Sequence, residues 1–234
     1  MKIALLGYGR MGKTIEKFAQ ERNHEIVFIL DKNEEKGSLA EAEVAINFSV
    51  PEAAVKNIKL ALGKKIPVIC GTTGWLDFYD EVTSFCNINK TAFLYASNFS
   101  IGVNLFFKIN ELAAKLMKPH IEEYKPSIQE IHHIHKLDAP SGTAITIAES
   151  LVDTGYFSTW ELNGTTDKKL NIESVREGEV PGTHSITYHS QVDEISLKHE
   201  AFSRDGFALG AVIAAEWILN KKGVFSMQDV LNIS

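Results

Sequence analysis

The chain has 234 residues, of which 44% are hydrophobic and 23% are charged, and its formal net charge is -6. This composition can bury a core and excludes a disordered chain, and the acidic balance argues against a general nucleic-acid binder. Two cysteines, Cys70 and Cys86, exclude a disulfide framework and favour a reducing compartment. The first apolar run is too short for a secretory signal, and no run reaches the length of a membrane span. We therefore expect a cytoplasmic protein that binds neither membrane nor nucleic acid.

The N-terminal residues follow the order strand, glycine turn, helix, strand, acid. Ile3 to Leu6 predicts a buried strand, the turn Gly7-Tyr8-Gly9-Arg10-Met11-Gly12 precedes a helix to about Glu21, and a second strand, Glu25 to Leu30, ends at Asp31. In a dinucleotide-binding fingerprint the first glycine makes the tight turn, the second admits the pyrophosphate and the third lets the helix pack on the strand. The acid accepts hydrogen bonds from the ribose hydroxyls. This stretch therefore predicts a dinucleotide site.

The same residues also satisfy the pattern of a phosphate-binding P-loop. Gly7 to Thr14, G-Y-G-R-M-G-K-T, has Lys13 and Thr14 at the phosphate and magnesium positions. A P-loop needs no glycine at position 9, however, and an NTPase would leave the histidine cluster described below without a role. The dinucleotide interpretation is favoured, and a P-loop nucleotide hydrolase stays an alternative.

Strands and helices continue to alternate up to about residue 99. Strands are predicted at Val44 to Phe48, Pro67 to Cys70 and Ala92 to Tyr95, with a helix from Glu52 to Leu62. This alternation indicates a Rossmann-type, doubly wound parallel sheet, in which ligands bind beyond the carboxyl ends of the strands. Two segments occupy that edge, although either one alone is also ordinary turn chemistry. They are Gly71-Thr72-Thr73 and Ala96-Ser97-Asn98-Phe99.

The pattern changes after a helix predicted from Ile101 to about Met117. Three strands then follow one another without intervening helices, which indicates an α+β domain with a mixed or antiparallel sheet. They are Ile172 to Val175, Thr183 to His189 and Glu194 to His199. The polar stretch from Gly155 to Lys169 predicts a loop-rich excursion. An apolar helix, Phe207 to Leu219, is suited to packing back on the first domain.

Titratable residues concentrate between Glu130 and Ala144, E-I-H-H-I-H-K-L-D-A-P-S-G-T-A, between a predicted strand, Ser127 to Ile134, and a predicted helix, Ala144 to Val152. His132 and Lys136 are four residues apart and so share a face of either a strand or a helical turn. A histidine and a lysine so placed form a plausible proton-handling pair. The Pro-Ser-Gly-Thr turn that opens the helix exposes N–H groups suited to an anion.

Three histidines in this cluster also raise the question of zinc. They are His132, His133 and His135. No acidic or cysteine ligand stands at a usual zinc spacing, and adjacent strand residues such as His132 and His133 point to different sides. We therefore expect a site without metal.

The segment from Glu130 to Ala144 resembles the signature of the dihydrodipicolinate reductase family. Further stretches are similar to family blocks in the same order. They are Gly9 to Gly12, Phe48 to Ala53, Gly71 to Gly74, Asn98 to Asn104 and His199 to Ala215. The turn G-Y-G-R-M-G is tighter than in many members, and Asn47 stands where an aspartate is common.

This resemblance implies an NAD(P)H-dependent reductase of the diaminopimelate and lysine pathway. Such an enzyme delivers hydride to 4-hydroxy-tetrahydrodipicolinate, a small cyclic dicarboxylate, and forms tetrahydrodipicolinate with loss of water. The implied organisation is a dinucleotide-binding domain, residues 1–99 and 206–234, and a domain for substrate binding and oligomerisation, residues 100–205. The sheet of the second domain is expected to form a homotetramer.

The resemblance also implies roles for individual residues. His132 and Lys136 are expected to transfer protons. His133 and the backbone of Ser141, Gly142 and Thr143 are expected to hold a substrate carboxylate. The residues expected to contact NADH or NADPH are Gly7 to Gly12, Asp31, Gly71 to Thr73 and Ala96 to Phe99. A regulatory homologue that binds NAD(P)H without turnover is the other alternative, and the intact His132 and Lys136 pair argues against it.

Overall fold

The computed structural model describes residues 1–32, 34–164 and 169–233. The strands of these residues, in chain order, are β1 Lys2–Leu6, β2 Glu25–Asp31, β3 Glu34–Gly37, β4 Val44–Asn47, β5 Val68–Cys70, β6 Ala92–Tyr95, β7 Lys125–His132, β8 Trp160–Leu162, β9 Leu170–Arg176, β10 Thr183–His189, β11 Glu194–Glu200 and β12 Gly223–Phe225. The helices are α1 Arg10–Glu21, α2 Pro51–Leu62, α3 Tyr79–Ile88, α4 Ile101–Met117, α5 Gly142–Asp153, α6 Asp205–Ile218 and α7 Met227–Leu231. Short 3₁₀ turns occur at Leu39–Glu41, Leu76–Phe78 and Lys118–His120. Among the described helices, none has the length and apolar character that crossing a bilayer requires.

The chain divides into two units. The first consists of Met1–Ile101 and the chain from Asp205 onward, and the second of Gly102–Arg204. Several short elements of these units were not predicted. They are β3, β8, β12, α3 and α7.

The sheet of the first unit has the strand order β12-β6-β5-β4-β1-β2-β3. Its neighbouring strands are parallel, except that β2 and β3 are antiparallel. The chain proceeds from β1 to β2 on one side and then returns to β4 on the other, so the end of β1 is the switch point where ligands bind in such sheets. The predicted doubly wound, Rossmann-type sheet is confirmed.

Alternate residues of β1 face opposite sides of this sheet. Ile3 and Leu5 pack in one core cluster with residues of α1 and α6, whereas Ala4 and Leu6 pack in a second cluster with residues of α2 and α3. The helix predicted from Phe207 to Leu219 is therefore α6, and it packs on this sheet as expected. Both faces are covered, which explains the uninterrupted apolar sequence of β1.

The sheet of the second unit has the strand order β11-β10-β7-β9-β8. Strands β11, β10 and β7 are antiparallel neighbours, whereas β7, β9 and β8 are parallel. The predicted mixed sheet is thus confirmed. The stretch from Gly155 to Lys169 was expected to be loop-rich, but Trp160–Leu162 forms the edge strand β8 by pairing with β9. Residues 165–168 of that stretch lie outside the described residues.

The strand that enters the histidine cluster ends earlier than predicted. It was expected to reach Ile134, but β7 ends at His132. The chain then turns, because the amide of Ile134 donates to the carbonyl of Gly178 and that of Lys136 to the carbonyl of His133, both at 3.1 Å. The argument that His132 and Lys136 share a face of one strand or helical turn is therefore wrong, and other contacts must bring the two residues together.

Candidate functional site

The glycine turn after β1 has the geometry that its sequence predicts. Gly7 has a φ of +102°, and a side chain there would meet the carbonyl oxygen of Phe48 at 2.2 Å. Its amide donates to the carbonyl of Leu30 at 2.7 Å, which ties the turn to the end of β2. A side chain at Gly12 would lie 2.4 Å from the carbonyl oxygen of Gly7. Only glycine fits these two positions, so α1 starts directly against the turn.

The N-terminus of α1 is open. Gly9 is the N-cap and carries no side-chain cap, and the first turn, which contains Arg10 and Met11, has no acidic residue. Among the described residues, no atom beyond the two chain neighbours of Gly9 lies within 4 Å of the position that a side chain of Gly9 would take. Free helix amides beside open space form a ready anion site, which suits a pyrophosphate.

The P-loop alternative does not fit this geometry. Its lysine and threonine should begin the helix, next to the phosphates. Here α1 already begins at Arg10, the amide of Lys13 donates to the carbonyl of Gly9 at 3.1 Å, and the Thr14 hydroxyl donates to the carbonyl of Arg10 at 3.0 Å. Both residues are thus inside the helix.

Asp31 is exposed at the carboxyl end of β2, one residue beyond the Leu30 carbonyl that binds the turn. It pairs in register with Glu34 of β3. On the other side of the turn, the Tyr8 hydroxyl donates to Glu16, and this hydrogen bond raises the pKa of Tyr8 to about 12. Tyr8 is therefore a neutral aromatic side chain at the start of the predicted coenzyme site.

The loops after β4 and β5 are joined by a buried polar network. Thr72 Oγ1 accepts from the Ser49 amide at 2.9 Å and from Asn47 Nδ2 at 3.1 Å. A side chain at Gly71 would overlap the ring of Phe48. A cavity of about 260 Å³ lies here, and it brings Met11 of α1 together with Gly71, Thr72 and Thr73. The side chain of Thr72 is occupied in the network, which leaves the loop backbone to face a ligand.

The fourth predicted coenzyme segment, Ala96 to Phe99, follows β6. The Ala96 amide donates to the carbonyl of Cys70 at 3.2 Å, so this segment starts beside the end of β5. Asn98 Oδ1 accepts from the Ser100 amide at 2.9 Å. Phe99 is buried, with its ring centroid 5.7 Å from that of Phe48. Phe99 therefore packs against Phe48 of the loop after β4, while Ser97 and Asn98 lie in the segment that follows the carboxyl end of β6.

In the second unit, a fully buried acid stands at the centre of the histidine cluster. Glu130 of β7 lies in register with His184 of β10 and with Ser174 of β9. Its Oε1 accepts from Ser174 Oγ at 2.6 Å. Its Oε2 accepts from the Ser141 amide at 3.0 Å and lies 3.3 Å from His132 Nδ1. That ring nitrogen is not aligned for a hydrogen bond, so the contact with His132 is electrostatic.

These neighbours set the charges of the cluster. Burial acts to raise the pKa of Glu130, but the contacts with His132, Ser141 and Ser174 outweigh it and hold the pKa well below its ordinary value. For His184, burial and then the nearby His132 lower the pKa to about 3. The cluster therefore has an ionised Glu130 and a neutral His184 at neutral pH.

The backbone of Lys136 is hydrogen-bonded to Arg176, which also contacts Glu130. Arg176, the register partner of His132, donates from Nε to the carbonyl of Lys136 at 3.3 Å and from Nη2 to the carbonyl of Asp138 at 2.7 Å. The same Nη2 lies 3.3 Å from Glu130 Oε1. The Lys136 ammonium donates to both carboxylate oxygens of Asp138 at 2.7 Å, and this lowers the pKa of Asp138. Arg176 thus connects Lys136 with Glu130 and His132.

The N-terminus of α5 faces this cluster through Ser141. Ser141 Oγ caps the helix by accepting from the Ala144 amide at 3.1 Å, and it lies 3.0 Å from His184 Nε2. The amides of Gly142 and Thr143 donate to no acceptor in the described part of the chain, and no atom lies within 4 Å of where a Gly142 side chain would be. These two amides can receive a carboxylate.

The other two histidines lie in the turn after β7. His133 Nε2 is 3.3 Å from Arg204 Nη2, so a guanidinium accompanies this side chain. His135 is exposed and pairs with Glu179 at 3.2 Å. Only His132 of the three lies in the buried cluster.

Glu130, His132 and His184 are close enough to share an ion, with ligand atoms within 4.8 Å of one another. Neither Glu130 nor His184 stands at a spacing that predicted a ligand from the sequence. Glu130 is already occupied by donors from Ser141, Ser174 and Arg176, which favours a carboxylate held by protein over one held by metal. The absence of metal stays a prediction.

Three functional candidates were therefore missed by the sequence analysis: Glu130, Arg176 and His184. The alternation of the strands contained a signal for two of them. Glu130 falls on the inward side of β7 with Ile128, and His184 on the inward side of β10 with Ile186. A charged or titratable residue on an apolar strand face must find partners. Nothing local to Arg176 indicated its role.

Comparison with known proteins gives a consistent result. The family model described as dihydrodipicolinate reductase, N-terminus, matches residues 1–99, and that described as dihydrodipicolinate reductase, C-terminus, matches residues 102–231. A 4-hydroxy-tetrahydrodipicolinate reductase of Christiangramia forsetii is 50% identical over 99% of this chain and 98% of its own length. One of Archaeoglobus fulgidus is 34% identical over 99% of this chain and 100% of its own. In fold, the chain is similar to a dipicolinate-bound dihydrodipicolinate reductase from Paenisporosarcina sp. TG-14, with a TM-score of 0.80, 23% identity and 97% coverage of both chains.

Proposed function

The chain belongs to the dihydrodipicolinate reductase family, and we propose that it reduces 4-hydroxy-tetrahydrodipicolinate to tetrahydrodipicolinate with protons handled by His132 and Lys136. It is an NAD(P)H-dependent oxidoreductase of lysine and diaminopimelate biosynthesis, and it acts on a small dicarboxylate. The reaction consumes one hydride and one proton and releases one water.

The first unit fits a dinucleotide. The open N-terminus of α1 would hold the pyrophosphate, and Asp31 would accept hydrogen bonds from the ribose. The backbone of Gly71 to Thr73 and of Ala96 to Asn98 would line the nicotinamide side. When bound, the reduced nicotinamide supplies the hydride.

Substrate carboxylates suit the N-terminus of α5. The Gly142 and Thr143 amides would hold one of them, since a helix N-terminus favours an anion. His133 Nε2 and Arg204 Nη2 lie 3.3 Å apart. Together the two side chains would make a second contact with the substrate carboxylates, with the Arg204 guanidinium as the cation. The Lys136 ammonium, now paired with Asp138, would attract the dianion.

Proton transfer is assigned to His132 and Lys136. Loss of water takes both the hydroxyl and one proton from the substrate itself, and hydride addition leaves excess electron density that a positioned acid must quench with the one proton consumed overall. The observation that carries this proposal is the link through Arg176 and Glu130, which ties the Lys136 backbone to the strand that bears His132.

Steady-state kinetics tests these roles, with the substrate generated in situ by dihydrodipicolinate synthase. Lys136→Met should lower kcat by about 10²–10⁴-fold and leave NADH binding nearly unchanged. Lys198→Met is the matched control, because Lys198 also pairs with a carboxylate, that of Glu200 at 2.6 Å, but lies on β11. A Lys136→Met enzyme that keeps more than about a tenth of wild-type turnover would remove the lysine from the mechanism.

His132→Gln should fall in the same range as Lys136→Met. If both residues serve one proton path, the double variant should lose much less than the product of the two single losses. A melting curve for each variant separates this from misfolding, because a purely structural role lowers stability while the folded protein turns over normally. Wild-type protein that binds NADH but never oxidises it with this substrate would instead support a regulatory homologue.

We also propose a cytoplasmic homotetramer. The two free cysteines, Cys70 and Cys86, are buried, which suits a reducing compartment. One face of the second unit's sheet packs on α4 and α5, while the other carries polar side chains such as Gln129 and Thr187 and is available for a partner. Light scattering on the eluting protein should give four times the chain mass, and a monomeric mass would refute the assembly.

A further inference from the structure

Glu130 is an acid placed where a strand of this sheet should be apolar. Its side chain is fully buried on the inward face of β7, next to Ile128. The donors that reach it are Ser174 and Arg176 of the neighbouring strand β9 and the Ser141 amide at the start of α5. The rings of His132, on its own strand, and of His184, on β10, lie 3.3 and 3.8 Å from its Oε2. An ionised carboxylate is retained in such a place only if it is fully paired. The fold therefore maintains a negative charge at one defined point.

This charge fixes the loop that carries Lys136 from both ends. At one end, the Ser141 amide donates directly to Glu130 at 3.0 Å. At the other, Arg176 lies between Glu130 and the loop, with its guanidinium 3.3 Å from the carboxylate and 2.7 Å from the Asp138 carbonyl. Leu137 of this loop is 97% exposed, so its side chain contributes no apolar anchor.

We propose that Glu130 is the positioning residue of the active site, which orients the Lys136 loop through Arg176 and stabilises His132 in its protonated form during turnover. This inference rests on the proton-transfer roles proposed above for His132 and Lys136. Because Glu130 itself is fully buried, its role is to position these groups and not to react.

The ring of His132 is oriented for this role. Its Nδ1 is 3.3 Å from Glu130, and its Nε2 faces Gly182, where a side chain would come within 3.1 Å. The carboxylate thus supports one nitrogen, and the absence of a side chain at residue 182 leaves the other open to exchange a proton. A carboxylate at this distance favours the cationic ring.

Other charged and titratable groups also face His132. Arg176 of β9 is its register partner, the ring of His184 of β10 is 5.0 Å away, and Lys136 follows in the next turn. The first and last are cations, and His184 is neutral at neutral pH. Glu130 is therefore the one described anion in contact with the ring, and its removal should lower the pH at which His132 loses its proton.

The first variant is Glu130→Gln, which keeps the shape and removes the charge. Ser174 Oγ can rotate to accept from the new amide, so the fold has a way to tolerate the change. We expect kcat near neutral pH to fall by about a hundredfold, as for a displaced catalytic group. The acidic group seen in the pH profile of kcat should respond to the loss of this charge, and the limb that needs a protonated group should move to lower pH. Glu149→Gln, at an exposed acid of α5 in the same unit, is the control and should change neither.

A second variant keeps the inference testable if Glu130→Gln does not fold. Arg176→Met removes a cation near His132 and the anchor of the Lys136 loop. It should lower kcat by about tenfold and move the same limb to higher pH, opposite to Glu130→Gln. A merely structural role moves neither limb. Unchanged pH profiles, or shifts of the same sign in both variants, would overturn the inference.

An NMR titration separates this inference from the proposed function. With ¹³C-labelled histidine, and His132→Gln used for assignment, the titration midpoint of His132 should fall in Glu130→Gln. This readout needs no turnover. If wild-type protein fails to reduce the substrate, the proposed function fails while the titration still decides the role of Glu130. An identical His132 midpoint in wild type and Glu130→Gln would refute it.

Discussion

The buried His184 makes stability depend on pH in a defined window. Its side chain is 5% exposed, its Nε2 lies 3.0 Å from Ser141 Oγ, and its Nδ1 has no partner in the described part of the chain. Burial lowers the pKa of His184 to about 3, against about 6.5 for a histidine in the unfolded chain. As the pH falls below about 6.5, His184 therefore binds a proton in the unfolded chain, whereas the buried ring of the folded chain stays neutral until the pH approaches 3. Stability is complete above that pH and is lost progressively towards pH 3.

The size of this effect follows from the window. Well below pH 6.5 each pH unit is worth about 1.4 kcal/mol, so acidification from pH 7.5 to 4.5 should remove about 2.7 kcal/mol of unfolding free energy through His184 alone. Glu130 does not obscure this range. Its pKa is held low by its hydrogen bonds, so its stabilising contribution is present above about pH 4.5 and starts to be lost only below it.

Urea unfolding at pH 7.5, 6.5, 5.5 and 4.5 measures the effect. His184→Gln keeps a group that can bond Ser141 but does not titrate, so its unfolding free energy should fall by about 2.7 kcal/mol less than that of wild type across the window. The control is His189→Gln, at an exposed histidine on the same strand, which should behave like wild type. Parallel profiles for wild type and His184→Gln would refute the reasoning, because the buried ring would then titrate like a free one.

Four further outcomes are expected. The enzyme should use both coenzymes, with NADH at least as good a hydride donor as NADPH. Asp31 repels a 2′-phosphate, and Arg10 and Lys32 can offset that repulsion. An NADPH preference above about a hundredfold would contradict this. Elemental analysis of protein purified without an affinity tag should find no stoichiometric zinc, and activity that a chelator abolishes and zinc restores would overturn the proton-transfer assignment. His133→Gln should raise the substrate KM by about tenfold with kcat nearly unchanged, because a carboxylate contact acts on ground and transition states alike; a loss confined to kcat would be inconsistent. Gly182→Ala places a methyl group 3.1 Å from His132 Nε2, at a residue whose φ of +157° strains any side chain. The variant should therefore lose stability, and its folded fraction should lose about tenfold in kcat; full activity of the folded protein would show that Nε2 is not used.

The elements with strong local patterns were predictable. The apolar run of β1 predicts a strand that is buried on both faces. The spacing of Gly7 and Gly12 predicts a tight turn against a helix, because a side chain at either glycine would collide with backbone within 2.4 Å. The sequence Pro-Ser-Gly-Thr likewise predicted the start of α5, which Ser141 caps. The strand β3, E-E-K-G, was not, since it has no alternation and exists only by pairing with β2.

The candidate site was predictable only in part. The four-residue spacing of His132 and Lys136 predicted a shared face, and the resemblance implied their roles. The strand ends between them, however, and they are linked through Arg176, 40 residues after Lys136. Such a link depends on strand register, which the sequence of β7 alone does not specify. Glu130 could have been suspected from its inward position, but its partners on β9 and β10 became visible only with the sheet.

The position of α6 has a consequence for synthesis of the chain. This helix supplies buried residues to the first unit's core, such as Ala211 and Val212, yet it is encoded after the whole second unit. When Ile101 leaves the ribosome, the sheet face that carries Leu5 and Leu94 is covered by α1 but still lacks the part of its cover that α6 supplies. Translation of Gly102–Arg204 takes on the order of 5–20 s at bacterial-like rates. During that delay the nascent first unit exposes part of an apolar sheet face, whereas the second unit is contiguous and can finish folding first.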